Sequence, residues 1–284
     1  MPGKVKKTEP VLRQPGSGSA ALLSGPYLVW MLIFVLIPLA VVVYYAFTGT
    51  DGSFTLANIA SIGEYFPVVI DSVWLAAIAT FICLILAYPF AYMLTRTSPS
   101  TQRIIIMLCM LPMCMSFLLR TLSWVEILKD NGIINTFLSS LGFGKLRLIR
   151  TRAAVVLGMV YNYLPYMILP LYTILSKLDR RLVEAAQDLG CSGVTVFSKV
   201  VIPLSVPGII SGITMVFVPA VSTFYIAQKL GGTDMYMIGD HIERLFKKQQ
   251  NGFNAGAAMS LLLMAIVFIS MWIMGRYTGN DEEV

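Results

Sequence analysis

Groups able to do covalent or metal chemistry are few in this 284-residue chain, and their spacing does not suit it. The single histidine, His241, has no second imidazole and no H-E-x-x-H around it, so neither a zinc site nor a catalytic triad assembles from it. Cys83, Cys109 and Cys114 lie in apolar runs and Cys191 stands alone in a polar loop, which gives neither a disulfide framework nor a C-x-x-C pair. An ATP-hydrolysing chain needs G-x-x-x-x-G-K-[ST]; the nearest stretch, Gly142-Phe143-Gly144-Lys145, lacks that spacing. The expectation is a chain that is not an enzyme and holds no metal or cofactor of its own.

Polar side chains concentrate instead in residues 177–199, which read as two short helices. Asp179 can N-cap the first, which runs from Arg180 through Glu184, Ala185 and Ala186 until Gly190 supplies a left-handed turn. Ser192 can cap a second over 193–201, with Pro203 as the expected stop. Small Ala185 and Ala186 let another backbone approach closely, while Glu184 offers a charged acceptor beside them. This is chemistry for docking a protein.

The elements that must carry this elbow are membrane spans. The chain is 57% hydrophobic and 13% charged, too apolar for a soluble domain. Its net charge of +6 sits in a tail and in loops, which excludes a nucleic-acid stripe. A helix crosses the hydrocarbon core with about 20 apolar residues. Residues 27–47, 72–95, 104–128, 153–176, 207–228 and 255–275 pass that test, the third least well because Arg120 and Glu126 interrupt it. These runs are apolar on all sides, which excludes the alternation of a membrane barrel. The predicted fold is all-α: a polytopic bundle of six transmembrane helices, one membrane domain over 26–284 behind a disordered cytoplasmic tail, 1–25. Amphipathic pieces are expected over 127–141 and 237–246.

Loop charge gives a divided orientation. The basic tail (Lys4, Lys6, Lys7, Arg13), the loop with Arg96 and Arg103, and the acidic 48–71 loop with Asp51, Glu64 and Asp71 place both termini in the cytoplasm. The 129–152 loop disagrees, because that topology puts Lys129, Lys145, Arg147, Arg150 and Arg152 outside.

Glu184-Ala185-Ala186, three residues, Gly190, nine residues, then Val200-Val201-Ile202-Pro203 resembles the cytoplasmic EAA loop of ABC importer permeases, with conservative departures at Val200 and Ile202. Ser116-Phe117-Leu118-Leu119-Arg120-Thr121, Asn131-Gly132-Ile133-Ile134-Asn135 and Tyr161-Asn162-Tyr163-Leu164-Pro165 are similar to the spermidine/putrescine permeases within that family, over about 27–275. The resemblance implies a type I importer permease in a bacterial cell membrane, its core about 68–275 and its coupling loop 177–203. Glu184, Ala185, Ala186, Gly190 and Pro203 would then couple it to an ATPase. It also implies the partners: a homologous second permease, two ATP-binding subunits that carry ATP and Mg, and an external polyamine-binding protein. Met113-Cys114-Met115 stands where those permeases often carry aromatic and hydroxyl residues, which leaves an amino acid, an anion or a metal complex as alternative substrates.

A polycation path calls for carboxylates or aromatic faces. Intramembrane acid is nearly absent, Glu126 being the exception near Lys129, so Tyr161, Tyr163, Tyr166, Phe224 and Tyr225 are the candidates to line it. Arg120 would repel a polycation, and a structural or gate-organising salt bridge, within the chain or to the partner permease, is the expected reason for its presence. Pro112, Pro165, Pro170, Pro203, Pro207 and Pro219 are expected to break or kink the spans.

Overall fold

The computed structural model describes residues 25–49, 51–232, 235–248 and 252–278. All of the predicted tail except Gly25 lies outside the described residues. The architecture is helical, and the β pairing among these residues is confined to an isolated bridge between Thr48 and Phe54. In chain order the helices are α1 (Gly25–Ala46), α2 (Phe66–Leu94), α3 (Pro99–Met110), α4 (Phe117–Leu128), α5 (Ile133–Ser140) and α6 (Arg152–Lys177). There follow α7 (Arg180–Asp188), α8 (Gly193–Leu204), α9 (Val206–Ser222), α10 (Tyr225–Leu230), α11 (Ile238–Lys247) and α12 (Gly252–Thr278).

Four helices are long and apolar enough to cross a membrane unaided: α1, the run Ala57–Leu94 that includes α2, α6, and α12. Two of the six predicted spans are not single helices. Residues 104–128 do not form one helix: the chain is extended at Met115 and Ser116, and the segments on either side meet at 88°. Pro112 starts the failure, because it donates no amide hydrogen and the chain tightens to a 3-10 turn over Leu111–Cys114 before opening. Residues 207–228 are likewise divided. Pro219 deprives the Met215 carbonyl of its donor, α9 ends at Ser222, and α10 starts afresh at Tyr225. Pro89, Pro165 and Pro170 lie inside unbroken helices.

The centre of the bundle is a mutual packing of α2, α6 and α9. It depends on small side chains. Ala76, Ala79, Cys83, Ala87 and Ala91 form a fully buried stripe at helical spacing on α2, and the Cys83 thiol reaches the Val160 carbonyl of α6 at 3.8 Å. On α9, Gly208 and Gly212 face α6 so closely that an added Cβ at Gly212 would lie 2.6 Å from the Met167 sulfur. Lipid tails are as apolar as these side chains, so close contact and dispersion, rather than expulsion of water, hold such helices together.

α1 is peripheral and leans on α12, where Ala46, Ala257 and Ala258 meet. Its last carbonyls are satisfied across the chain: Asn58 donates to Ala46 at 3.2 Å and to Thr48 at 3.0 Å, and Asn254 also donates to Thr48. Both predicted amphipathic pieces are helical. α5 exposes Ile133, Phe137 and Leu141 along one side, and α11 buries Ile238 and Leu245.

Candidate functional site, a docking elbow on a membrane bundle

The polar segment after α6 folds as two helices joined by a tight turn. The Asp179 carboxylate accepts from the Arg181 amide at 3.0 Å, and the Ser192 hydroxyl accepts from the Thr195 amide at 3.3 Å, so both expected caps are made. Between them Gly190 has φ +81, the Cys191 amide donates to Ala186 at 3.2 Å, and the Gly190 amide donates to Gln187 at 2.8 Å. That pair of bonds is the Schellman arrangement, which needs a left-handed residue at the turn.

Pro203 does not stop the second helix, contrary to the sequence expectation. α8 continues to Leu204 because it widens to a π turn over Phe197–Val201, where the Ile202 amide donates to the Phe197 carbonyl five residues back. The wider turn relieves the clash between the proline ring and the preceding carbonyls. The same device precedes Pro38 in α1, as a π turn over Leu32–Leu36. The chain bends only at Ser205, where α8 and α9 meet at 65°.

The elbow shows an apolar edge outward. Leu182, Ala185 and Leu189 are exposed at helical spacing on α7, with Ala186 half-buried beside them, and Val194 on α8 is also exposed; Leu189 and Val194 reach 85% and 79%. Val183 turns inward against the bundle. The Glu184 carboxylate is exposed and has no ion pair among the described residues; it lines a cavity of about 390 Å³ with Arg96, Gln102 and Gln187.

Beneath the elbow is an anchorage that motif reading did not find. The Phe197 ring meets Tyr88 edge-on at 5.5 Å and Tyr92 at 5.1 Å, and the Tyr88 hydroxyl bonds the Ser205 hydroxyl at 2.6 Å at the bend. Arg96 stacks over the Tyr92 ring at 4.6 Å. Gln102 donates to the Thr95 and Thr97 carbonyls at 3.2 and 2.9 Å and accepts from the Tyr172 hydroxyl at 2.9 Å, joining α2, α3 and α6 below the elbow. The signal was Tyr88, Tyr92 and Arg96 at i, i+4, i+8 near the end of span two, one polar-tipped face on an otherwise apolar helix.

The aromatic candidates for the path are not gathered into one surface. Tyr163 is buried and its hydroxyl donates to the Pro219 carbonyl at 3.3 Å, while Tyr161 packs edge-on against Trp124 at 5.4 Å. Tyr166 and Phe224 are more than a third exposed, and Tyr225 lies under Lys229 and near Phe117. Glu126 pairs with Lys129 at an exposed end of α4. Arg120 is buried, and its Nε and one terminal nitrogen have no partner, so the expected ion pair is not made within the described residues.

An all-helical, multi-span bundle with a capped elbow seated between two of its spans defines a polytopic membrane protein. The chain belongs to the family described as binding-protein-dependent transport system inner membrane component, which matches residues 85–278. It is therefore a transport permease. It is 37% identical over 257 residues to the spermidine/putrescine transport system permease protein PotB of Haemophilus influenzae, covering 87% of this chain and 90% of that one. With the protein of that name from Escherichia coli K12 it shares 33% over 267 residues, covering 90% and 97%. Its fold matches a chain of a bacterial alginate ABC transporter, solved in complex with an alginate pentasaccharide-bound periplasmic protein, with a TM-score of 0.75 at 14% identity over 94% of this chain and 95% of that one.

Proposed function

We propose that this chain forms half of the translocation path of an ATP-driven importer of spermidine or putrescine and couples that path to an ATP-binding subunit. The observation that carries the coupling is the outward edge of Leu182, Ala185 and Leu189 on an elbow whose inner side is fixed to the bundle. Small and apolar side chains there fit a cleft, with Glu184 free to accept hydrogen bonds at its margin. The polyamine assignment is supported by the near full-length similarity to the two polyamine permeases.

In this reading two ATP-binding subunits hold ATP and Mg, and a homologous second permease completes the path. Both termini and the elbow lie in the cytoplasm. Closure of an ATP-binding subunit on α7 displaces α8, and Phe197 carries that displacement to α2 through Tyr88 and Tyr92. The bend at Ser205 carries it to α9, which is packed on α6 through Gly208 and Gly212. An external binding protein delivers the polyamine at the opposite face. Tyr166 and Phe224 offer partly exposed aromatic faces for ammonium groups.

The test is reconstitution of the four-subunit importer in liposomes with its binding protein and labelled spermidine or putrescine. ATP-dependent accumulation that needs the binding protein supports the reading. Co-purification without polyamine uptake would refute the substrate, and failure of the ATP-binding subunits to associate would refute the coupling.

A further inference from the structure

The surface at the opposite end of the bundle from the elbow carries charge that the fold by itself disfavours. Arg150 and Arg152 flank Thr151, the N-cap of the 26-residue α6. A helix N-terminus is the positive end of the dipole, where cations are unfavourable. Arg150 is in addition the one non-glycine residue with positive φ among those described, at +60. In the proposed topology the loop is external, the side where lysine and arginine are normally depleted.

This loop is nevertheless braced. The buried Asn135 amide accepts from the Leu146 backbone and donates to it, both at 2.9 Å. Lys145 donates to the Asn131 side chain at 2.7 Å, and the Arg150 amide donates to the Leu230 carbonyl at 2.9 Å. Arg152 is paired with Asp71 at 2.7 Å. The Arg147 and Arg150 guanidiniums have neither hydrogen bonds nor ion pairs among the described residues, and both line two adjoining cavities of about 320 and 710 Å³. Residues held rigidly in an unfavourable arrangement mark a place where the missing interaction comes from outside.

We propose that Arg147, Arg150 and the N-terminus of α6 form a docking site for carboxylates of the substrate-loaded external binding protein. This rests on the importer reading above. A polyamine is itself cationic and is repelled here, so the patch engages the carrier rather than the cargo. Two exposed, unpaired guanidiniums on a braced backbone can each take a carboxylate in bidentate fashion. Neutralisation on docking also lowers the positive potential at the mouth as the polycation is released, so the barrier falls only when the carrier is seated.

The experiment uses the complete importer in nanodiscs and its spermidine-loaded binding protein, with ATP hydrolysis followed against binding-protein concentration. Relative to wild type, the double variant Arg147→Glu/Arg150→Glu is expected to raise the half-saturating concentration at least about tenfold while the maximal rate persists, with the wild-type value rising steeply with salt. Arg150→Gly removes one charge at a position whose positive φ glycine adopts without strain, so it should weaken docking with the turn retained. Arg147→Lys should retain part of the affinity. An unchanged half-saturating concentration in the double variant overturns the proposal, as does a fall confined to the maximal rate. A defect that vanishes in nanodiscs without anionic lipid overturns it in favour of a phospholipid headgroup. If the binding protein fails to stimulate even the wild type, the importer reading itself fails, an outcome distinct from failure in the variants alone.

Discussion

The Tyr88 hydroxyl and the Ser205 Oγ lie 2.6 Å apart although 117 residues separate them, and both are buried where α8 bends into α9. The bond ties α2 to the hinge by which the elbow is attached. Tyr88→Phe should cost about 1 kcal/mol of stability. Substrate-stimulated ATP hydrolysis should become partly uncoupled from uptake. Ser205→Ala should cost somewhat more, because it also removes the bond its hydroxyl donates to the Ile202 carbonyl at 2.9 Å, and the double variant should be no worse than Ser205→Ala alone, because the Tyr88 bond is already lost there. Additive losses in denaturation and uptake assays would show that the two hydroxyls act separately.

Gly190 and Ala186 test the elbow in different ways. An added Cβ at Gly190 meets no atom within 4 Å, so the constraint there is φ +81 alone. Gly190→Val should strain the turn by about 1–2 kcal/mol or unwind it. Ala186→Glu leaves the turn intact and crowds the docking edge. Both should abolish polyamine uptake with normal membrane insertion; Ala186→Glu should also reduce co-purification of the ATP-binding subunit. Wild-type transport by both variants would remove the coupling assignment.

Gly212→Leu should be defective at an earlier stage. A side chain there enters the space of Met167 and Pro170 on α6. Overpacking costs roughly 1–3 kcal/mol and should separate α9 from α6. The expected readout is a lower thermal midpoint and low recovery of folded protein in detergent, whereas Gly275→Leu, with nothing within 4 Å of its Cβ, should behave as wild type.

His241 gives a pH dependence. Burial first, and then the charge of Lys248, holds its imidazole below the usual histidine range; Arg244 adds to this and Asp240 opposes it. Its ring lies 4.4 Å from that of Tyr65, and its Nε2 is buried without a partner. The folded state therefore refuses a proton that the unfolded chain accepts. Stability is retained above the ordinary value of about 6.5 and declines as pH falls through and below it. Melting of wild type and His241→Phe from neutral to acid pH should show the wild type losing ground; parallel curves would rule this out.

Orientation is open to direct chemistry, because Cys191 is exposed on the elbow and Ser139 is exposed on α5. A membrane-impermeant thiol reagent should reach Cys191 only from the cytoplasm and a cysteine placed at 139 only from outside. The reverse pattern would invert the topology and remove the ATPase from the elbow.

The parts legible in sequence were those governed by short range. Span lengths follow from the thickness of hydrocarbon, and the elbow's caps and turn follow from Asp179, Gly190 and Ser192, whose bonds reach only a few residues along the chain. The fate of each proline was decided elsewhere. Pro112 and Pro219 precede breaks, Pro165 and Pro170 are absorbed, and Pro203 is carried through by a π turn, because neighbouring helices determine whether a freed carbonyl and a displaced ring can be accommodated. The Tyr88–Ser205 bond, the seat of Phe197 and the bracing of Leu146 by Asn135 likewise depend on which helices meet. Those meetings are set by close packing of small residues in a solvent as apolar as they are, and a linear pattern of hydrophobicity does not contain them.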